Sequence, residues 1–230
     1  MTHALALLLM LAAENRFDRA LAAPIVSVMD KADVPPSGDK HDYLSYGPYW
    51  FPDPSKKDGL PYIRKDGYRN EELIRRGDAD AFSAMVRAVR TLAESKERRH
   101  AESAAVRIRA WFLDPTTRMN PHLEFGQAIP GRTRGRGEGL ISMRGLLDVV
   151  DAIPALEKAG VWTRADDTAF RAWMSDWVKW LDTSAVASEK KTAKNNHGSW
   201  FAAQAIGLQV FLGNKSRARE IAQEVPARIA

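Results

Sequence analysis

The 230-residue chain contains no cysteine, which excludes disulfides and thiolate metal sites but leaves the compartment open, because an exported protein can do without them. It has no apolar run long enough to cross a bilayer, "ALALLLMLAA" at residues 4–13 being far too short. Neither sign of charge dominates: 34 Lys and Arg against 29 Asp and Glu leave a net +5. That excess suits an anionic partner, whether nucleic acid, a lipid surface or an acidic polymer, without choosing among them. No polar–apolar alternation is long enough to define a strand, and neither the P-loop nor the dinucleotide fingerprint occurs. Tyrosine is absent after Tyr68.

What is present is an ordinary folded composition, 45% apolar and 27% charged, in a length that suits one large domain or two small ones. Residues 4–13 have the length of a signal-peptide apolar region, with only His3 where a basic region should stand. The other reading has them open a first helix that runs through "ENRFDRALAA" to about Ala23, so that residues 1–32 hold a signal remnant and a first helix. Both readings stay open. From Asp33 to Glu72 prolines and glycines recur too often for a helix, which predicts a long ordered loop with a short hairpin around "GLPYIRKDGY". All five tyrosines lie in this loop: Tyr43, Tyr46, Tyr49, Tyr62 and Tyr68. A disordered linker would not carry that aromatic load, and long structured loops commonly act as lids or binding loops.

Beyond the loop the chain reads as helical. "DADAFSAMVRAVRTLAES" places Phe82, Met85, Val86, Val89 and Leu92 on one face, and "AESAAVRIRAWFLD" repeats the pattern with Ala104, Ala105, Ile108, Trp111 and Phe112, so the two predict a helical hairpin. "GLISMRGLLDVVDAIPALEKAG" predicts a third helix, kinked or ended near Ile153 by Pro154. In "TRADDTAFRAWMSDWVKWLDTS", Thr163 and Asp166 form a capping-box signature, and Phe170, Trp173, Trp177, Trp180 and Leu181 read as core rather than as sugar platforms. "SWFAAQAIGLQVFLGN" and the segment from Lys215 onward make a final pair. The expected fold class is all-α, built of successive antiparallel hairpins.

Two loops interrupt the helices. "DPTTRMNPHLEFGQAIPGRTRGRGEG" carries Arg132, Arg134 and Arg136 near the single acid Glu138, its glycines permitting close backbone approach and its arginines offering forked donors for carboxylate or phosphate. "SEKKTAKNNHGSW" is expected to be a short basic turn that delivers Asn195, Asn196 and His197 to the next helix. One Asn there needs no function beyond capping. The second, beside a His, supplies the two roles that an elimination next to a carboxylate requires, a donor to the carboxylate and a proton acceptor.

Four blocks in one order, "PPSGDKHDYLSYGPYWFPDPSKKDGLPYIRKDGYRNEE", "DPTTRMNPHLEFGQAIPG", "GRGEGLISMRGLLDVVDAI" and "KNNHGSWFAAQAIGLQVFLG", resemble the alginate lyase family from about Pro35 onward. The resemblance implies an incomplete (α/α)n toroid of antiparallel helical hairpins with a long aromatic lid loop, so that residues 33–230 form a lyase-like helical domain. It implies β-elimination on a uronic-acid polymer, an anionic polysaccharide partner and not a nucleic acid or a membrane span, no metal or organic cofactor, and export to the periplasm or beyond. Asn196 would neutralise the C5 carboxylate and His197 would act as base, with Asn195 left to cap the helix. Lys40, Tyr43, Tyr49 and Trp50 would contact the polymer from the lid, and Gln127, Arg136 and Arg144 would line another part of the groove, although a structural salt bridge accounts for Arg144 equally well. The family also carries an arginine and an acid tyrosine C-terminal to the Asn-His pair. Their absence, and "EVPARIA" reading as mid-helix, give the expectation of an N-terminal portion whose catalytic set is incomplete unless a lid tyrosine such as Tyr43 substitutes, with exposed apolar faces favouring self-association. Two rival readings remain: a non-catalytic helical-repeat module binding a polysaccharide or protein, and a nucleic-acid binder using Arg132 to Arg136.

Overall fold

A computed structural model describes residues 16–226, so the reading of residues 4–13 and the last residues of "EVPARIA" lie outside the described residues. The chain is predominantly α-helical, and its repeated helix–helix packing is consistent with an (α/α) toroid-like arrangement. A helix at residues 16–22 (α1) is followed by a 3-10 turn, Val28–Asp30, and by the aromatic segment. Then come α2 (Glu71–Ile74), α3 (Ala79–Ala93) and α4 (Arg98–Phe112). A second irregular stretch ends in a 3-10 helix, Gly137–Met143, and leads into α5 (Leu146–Lys158), α6 (Arg164–Thr183), α7 (Ala185–Lys191), α8 (Asn196–Phe211) and α9 (Lys215–Glu224).

The helices form where the periodicity places them. In α3 the buried side chains Phe82, Met85, Val86, Val89 and Leu92 recur every three or four residues and meet Ala104, Ala105, Ile108, Trp111 and Phe112 of α4, the predicted hairpin. Helix α6 starts at a capping box in which the Thr163 hydroxyl accepts from the Asp166 amide while the Asp166 carboxylate accepts from the Thr163 amide at 2.8 Å. Its tryptophans are core residues: Trp173 stacks on Trp177 with ring centroids 5.5 Å apart and meets Phe112 edge-on at 4.8 Å. The Trp173 indole donates to the Met119 carbonyl at 2.7 Å, so a buried N–H is not left unpaired. The hairpin of α8 and α9 turns at Gly213, whose φ of 86° is the left-handed conformation that ends many helices.

Buried cations fix the periphery. Arg107, on α4, donates to the carbonyls of Ala20, Leu21, Ala23 and Pro24 at 2.6–3.2 Å, so its charge meets the negative end of α1 in place of a carboxylate. Lys31 and Asp78, both without solvent exposure, pair at 3.3 Å, and Asp78 also accepts from the Leu44 amide at 2.8 Å. Burial pushes the Asp78 carboxyl up to about 7 against the pull of Lys31, and burial draws Lys31 down against the pull of Asp78. This pair ties the aromatic segment to the start of α3.

Three local expectations are corrected. Of the two outcomes open at Pro154, the helix ending near Ile153 is not the one found: α5 runs on to Lys158, with the Pro154 ring exposed while Ile153 and Leu156 continue the buried face. The helix also begins later than predicted, because Gly137–Met143 winds as a 3-10 helix with Leu140 and Met143 eclipsed on its buried side. The basic turn before Asn195 is partly helical, since the Ser184 hydroxyl caps α7.

The aromatic segment is stitched by short strands. β1 (Leu44–Tyr46) pairs in parallel with β4 (Phe125–Ala128), Leu44 opposite Phe125 and Tyr46 opposite Ala128. β2 (Trp50–Phe51) pairs antiparallel with β3 (Ile63–Arg64), so "GLPYIRKDGY" reaches back to Trp50 and Phe51 and does not close on itself. Among the described residues no helix is long and apolar enough to cross a membrane.

Candidate active site

The backbone before α8 is extended at Asn195, whose side chain accepts from the His197 amide at 3.0 Å. Asn195 is therefore the cap, and Asn196 becomes the first helical residue, exposed beside the half-buried His197. Gly198 completes the motif for a steric reason: a Cβ there would lie 1.9 Å from the Ala193 carbonyl oxygen. The turn from α7 folds hard against the first turn of α8 and fixes the Asn-His pair on a cleft of about 660 Å³.

The facing wall is built on β4. Gln127 has a φ of 48°, a left-handed backbone conformation unusual outside glycine and often kept where function over-determines it. The Ser45 hydroxyl accepts from its amide at 2.8 Å. Its carbonyl and side-chain oxygens accept from Arg136 Nε and Nη2 at 3.0 and 2.8 Å, so the guanidinium is aimed by a fork rather than left to swing. Below them two backbone segments cross at glycines: a methyl on Gly139 would sit 2.7 Å from the Gly126 Cα. Arg136 Nη1 stands 3.8 Å from Glu138, and Glu138 pairs at 2.8 Å with Lys190 of α7.

This polar chain sets the electrostatics of the imidazole. Burial holds His197 below the usual imidazole range; Glu138 works against that, and Lys190 and Arg136 reinforce it. Its Nδ1 is buried without a hydrogen-bond partner. The ring is thus neutral at neutral pH and able to accept a proton.

Of the residues singled out from the sequence, Asn196, His197, Gln127, Arg136, Arg144, Tyr49 and Trp50 all line this one cleft. Lys40 does not: its ammonium donates to the Met29 carbonyl at 3.0 Å and holds the segment together. Tyr43 does not either. It is fully buried, with burial pushing its hydroxyl well above the usual phenol range beside Ser45 and Ser142, so it neither touches a polymer nor substitutes as an acid. Arg144 makes no ion pair among the described residues; it donates to the Ile141 carbonyl at 3.1 Å. Sequence reasoning missed Tyr46, Arg64 and Arg69 in the lining, and gave Glu138 and Lys190 no place in the site. The one available signal was Glu138 standing alone among arginines. Tyr46 donates to Asp33 at 2.6 Å, and Arg132 lies 5.1 Å over the Trp50 ring while donating to the Tyr62 carbonyl at 2.6 Å, so both brace the aromatic wall. Among the described residues there is no cluster of three or more His, Asp or Glu suited to a metal ion.

Helical hairpins framing a polar cleft headed by an Asn-His pair are consistent with an α/α toroid-like scaffold that carries a candidate active site. The alginate lyase family model matches residues 27–230, and the chain belongs to that family. Among solved structures it is similar to an alginate lyase from Bacteroides ovatus, with 42% sequence identity and a TM-score of 0.90 over 94% of this chain and 58% of that one. The chain therefore spans less than two thirds of that protein's length. No curated protein matches it.

Proposed function

We propose that the chain is a polysaccharide lyase that cleaves an alginate-like uronic-acid polymer by β-elimination. The observation that carries this reading is the convergence of Asn196, neutral His197 and the aimed Arg136 on one cleft. Asn196, at the positive end of α8, donates to the C5 carboxylate and makes the C5 proton more acidic. His197 removes that proton, the electron pair of the C5–H bond becomes the C4–C5 double bond, and the C4–O4 bond breaks with its pair going to O4. The departing oxygen takes a proton from Tyr49, the cleft tyrosine whose hydroxyl is not engaged as that of Tyr46 is by Asp33. The same reading makes the helices part of an incomplete (α/α) toroid and sends the protein to the periplasm, which amino-terminal sequencing of protein from that fraction would check.

The test is the ultraviolet absorbance of the unsaturated uronate during incubation with alginate and other polyuronates. The expected result is a rise for the wild type, lost in His197→Ala and reduced by orders of magnitude in Asn196→Ala. No rise from folded wild-type protein that still retains the polymer would overturn the catalytic reading and leave a carbohydrate-binding module.

A further inference from the structure

The cleft does not end at Arg144. A second concavity of about 480 Å³ lies between α3 and α5 and shares Ser83, Ser142 and Arg144 with the first. Its floor is apolar, with Phe82 and Val86 buried, and its walls carry Arg87 and Arg90 on one side and Arg144 and Asp148 on the other. The α3 wall is a polar stripe: Asp80, Ser83, Arg87 and Arg90 follow one another at three- and four-residue steps, spanning roughly 15 Å at the helical rise.

We infer that this trench holds further carboxylate subsites for a polyuronate chain longer than the cleft itself accommodates, an inference that rests on the lyase reading above. The charges are arranged for such a ligand. Arg87 makes no hydrogen bond or ion pair with any described residue, Arg144 reaches only the Ile141 carbonyl, and Arg90 stands 3.8 Å from Asp148 with both side chains well exposed. Three guanidinium groups therefore face the single carboxylate of this trench, Asp148, with Asp80 of the same stripe in the first cleft, in a groove continuous with the place where the Asn-His pair would act on the same chain. Arg64 and Arg69 of the first cleft, and Arg76 and Arg98 farther away, are each paired with a carboxylate at 2.6–2.9 Å. An uncompensated run of arginines along a groove with an apolar floor fits a ribbon of sugars that presents a carboxylate on each ring and a C–H face between them.

The experiment is equilibrium binding of saturated oligouronates of defined length, from disaccharide to octasaccharide, to the full chain carrying His197→Ala so that nothing is consumed. The comparison is with the same protein carrying Arg87→Ala and Arg90→Ala, and with a charge-preserving Arg87→Lys and Arg90→Lys form. These side chains are exposed, so circular dichroism should show unchanged helix content. In the parent, affinity should climb with length past the size that fills the cleft. The alanine form should lose about fivefold on the longest chains, with a smaller loss on shorter ones, and the lysine form should recover most of it. An equal loss at every length, or none at any, would overturn the trench while leaving the lyase reading intact. Failure of every oligouronate to bind the parent would instead overturn the lyase reading and the trench with it. Single-stranded DNA binding as tightly as the octasaccharide would show that the trench reads charge alone, and would overturn the assignment to uronates.

Discussion

The two adjacent asparagines separate into different jobs, and single substitutions should show it. Asn195→Ala removes the acceptor for the His197 amide and should cost about 1 kcal/mol in urea unfolding, with activity falling as the first turn of α8 loosens. Asn196→Ala, at an exposed position, should leave stability within about 0.5 kcal/mol while abolishing most turnover. The imidazole supplies a second test. Protonation of His197 should cause the acid limb of kcat/KM, and because burial holds its pKa low, that limb should lie at more acid pH than for a free imidazole. Glu138 is the group that favours the imidazolium, so Glu138→Gln should move the limb further toward acid; a move toward neutral pH would show that Glu138 does not act on the ring. The Asn-His pair was legible because its members are neighbours in sequence and their cap follows a local rule. Lys40 and Tyr43 were not legible, because the facing of an irregular segment is set by partners far along the chain: Leu44 takes its register from Phe125, and that register turns Tyr43 inward.

At the scale of elements, ion pairs and caps decide how firmly the helices hold their places. Asp166 serves two: it caps α6 with Thr163 and accepts from Arg109 at 2.8 and 2.7 Å, bridging α4 to α6. The hydrogen bonds from Arg109 come first, with those from Thr163 adding, in holding its carboxyl well below the usual range against the effect of burial. A depressed carboxylate pKa contributes stability that is present above the unfolded value and lost as pH falls toward the folded one. Chemical denaturation below about pH 4 should therefore show a steeper loss of stability in the wild type than in Asp166→Asn, which should already be weaker by about 2 kcal/mol at neutral pH. Arg107→Met should cost about 3 kcal/mol and release α1, since four carbonyls lose their donor at once, and hydrogen exchange at residues 20–24 would report it. The long helices were readable from their 3.6-residue period, which tertiary packing merely confirms. Pro154 left a kink and an end both open, because the cost of proline depends on whether the freed carbonyl faces water, and the sequence does not state that. The pairing of β1 with β4 has no local signature, being made of very few residues at distant positions.

For the whole molecule, the net charge of +5 includes three guanidinium groups, Arg87, Arg90 and Arg144, that gather along the trench beside Asp148. Raising ionic strength from low to physiological should therefore raise KM for a polymeric substrate several-fold with little change in kcat, because screening acts on association more than on the buried chemistry. Hairpins could be read from the sequence one at a time; their common arrangement around one cleft could not, because it is set by contacts between α3 and α5 and between α5 and α8 that no local pattern announces. The crossing of Gly126 and Gly139 beneath Gln127 and Arg136 bears on how such a cleft can diversify. Where two backbones already touch, no substitution can deepen or narrow the groove without parting them, and the forked arginine above would move with either strand. Descendants of this chain that come to take a different ligand should therefore differ at the rim, in Tyr49, Arg87, Arg90 and Arg144, and keep both glycines.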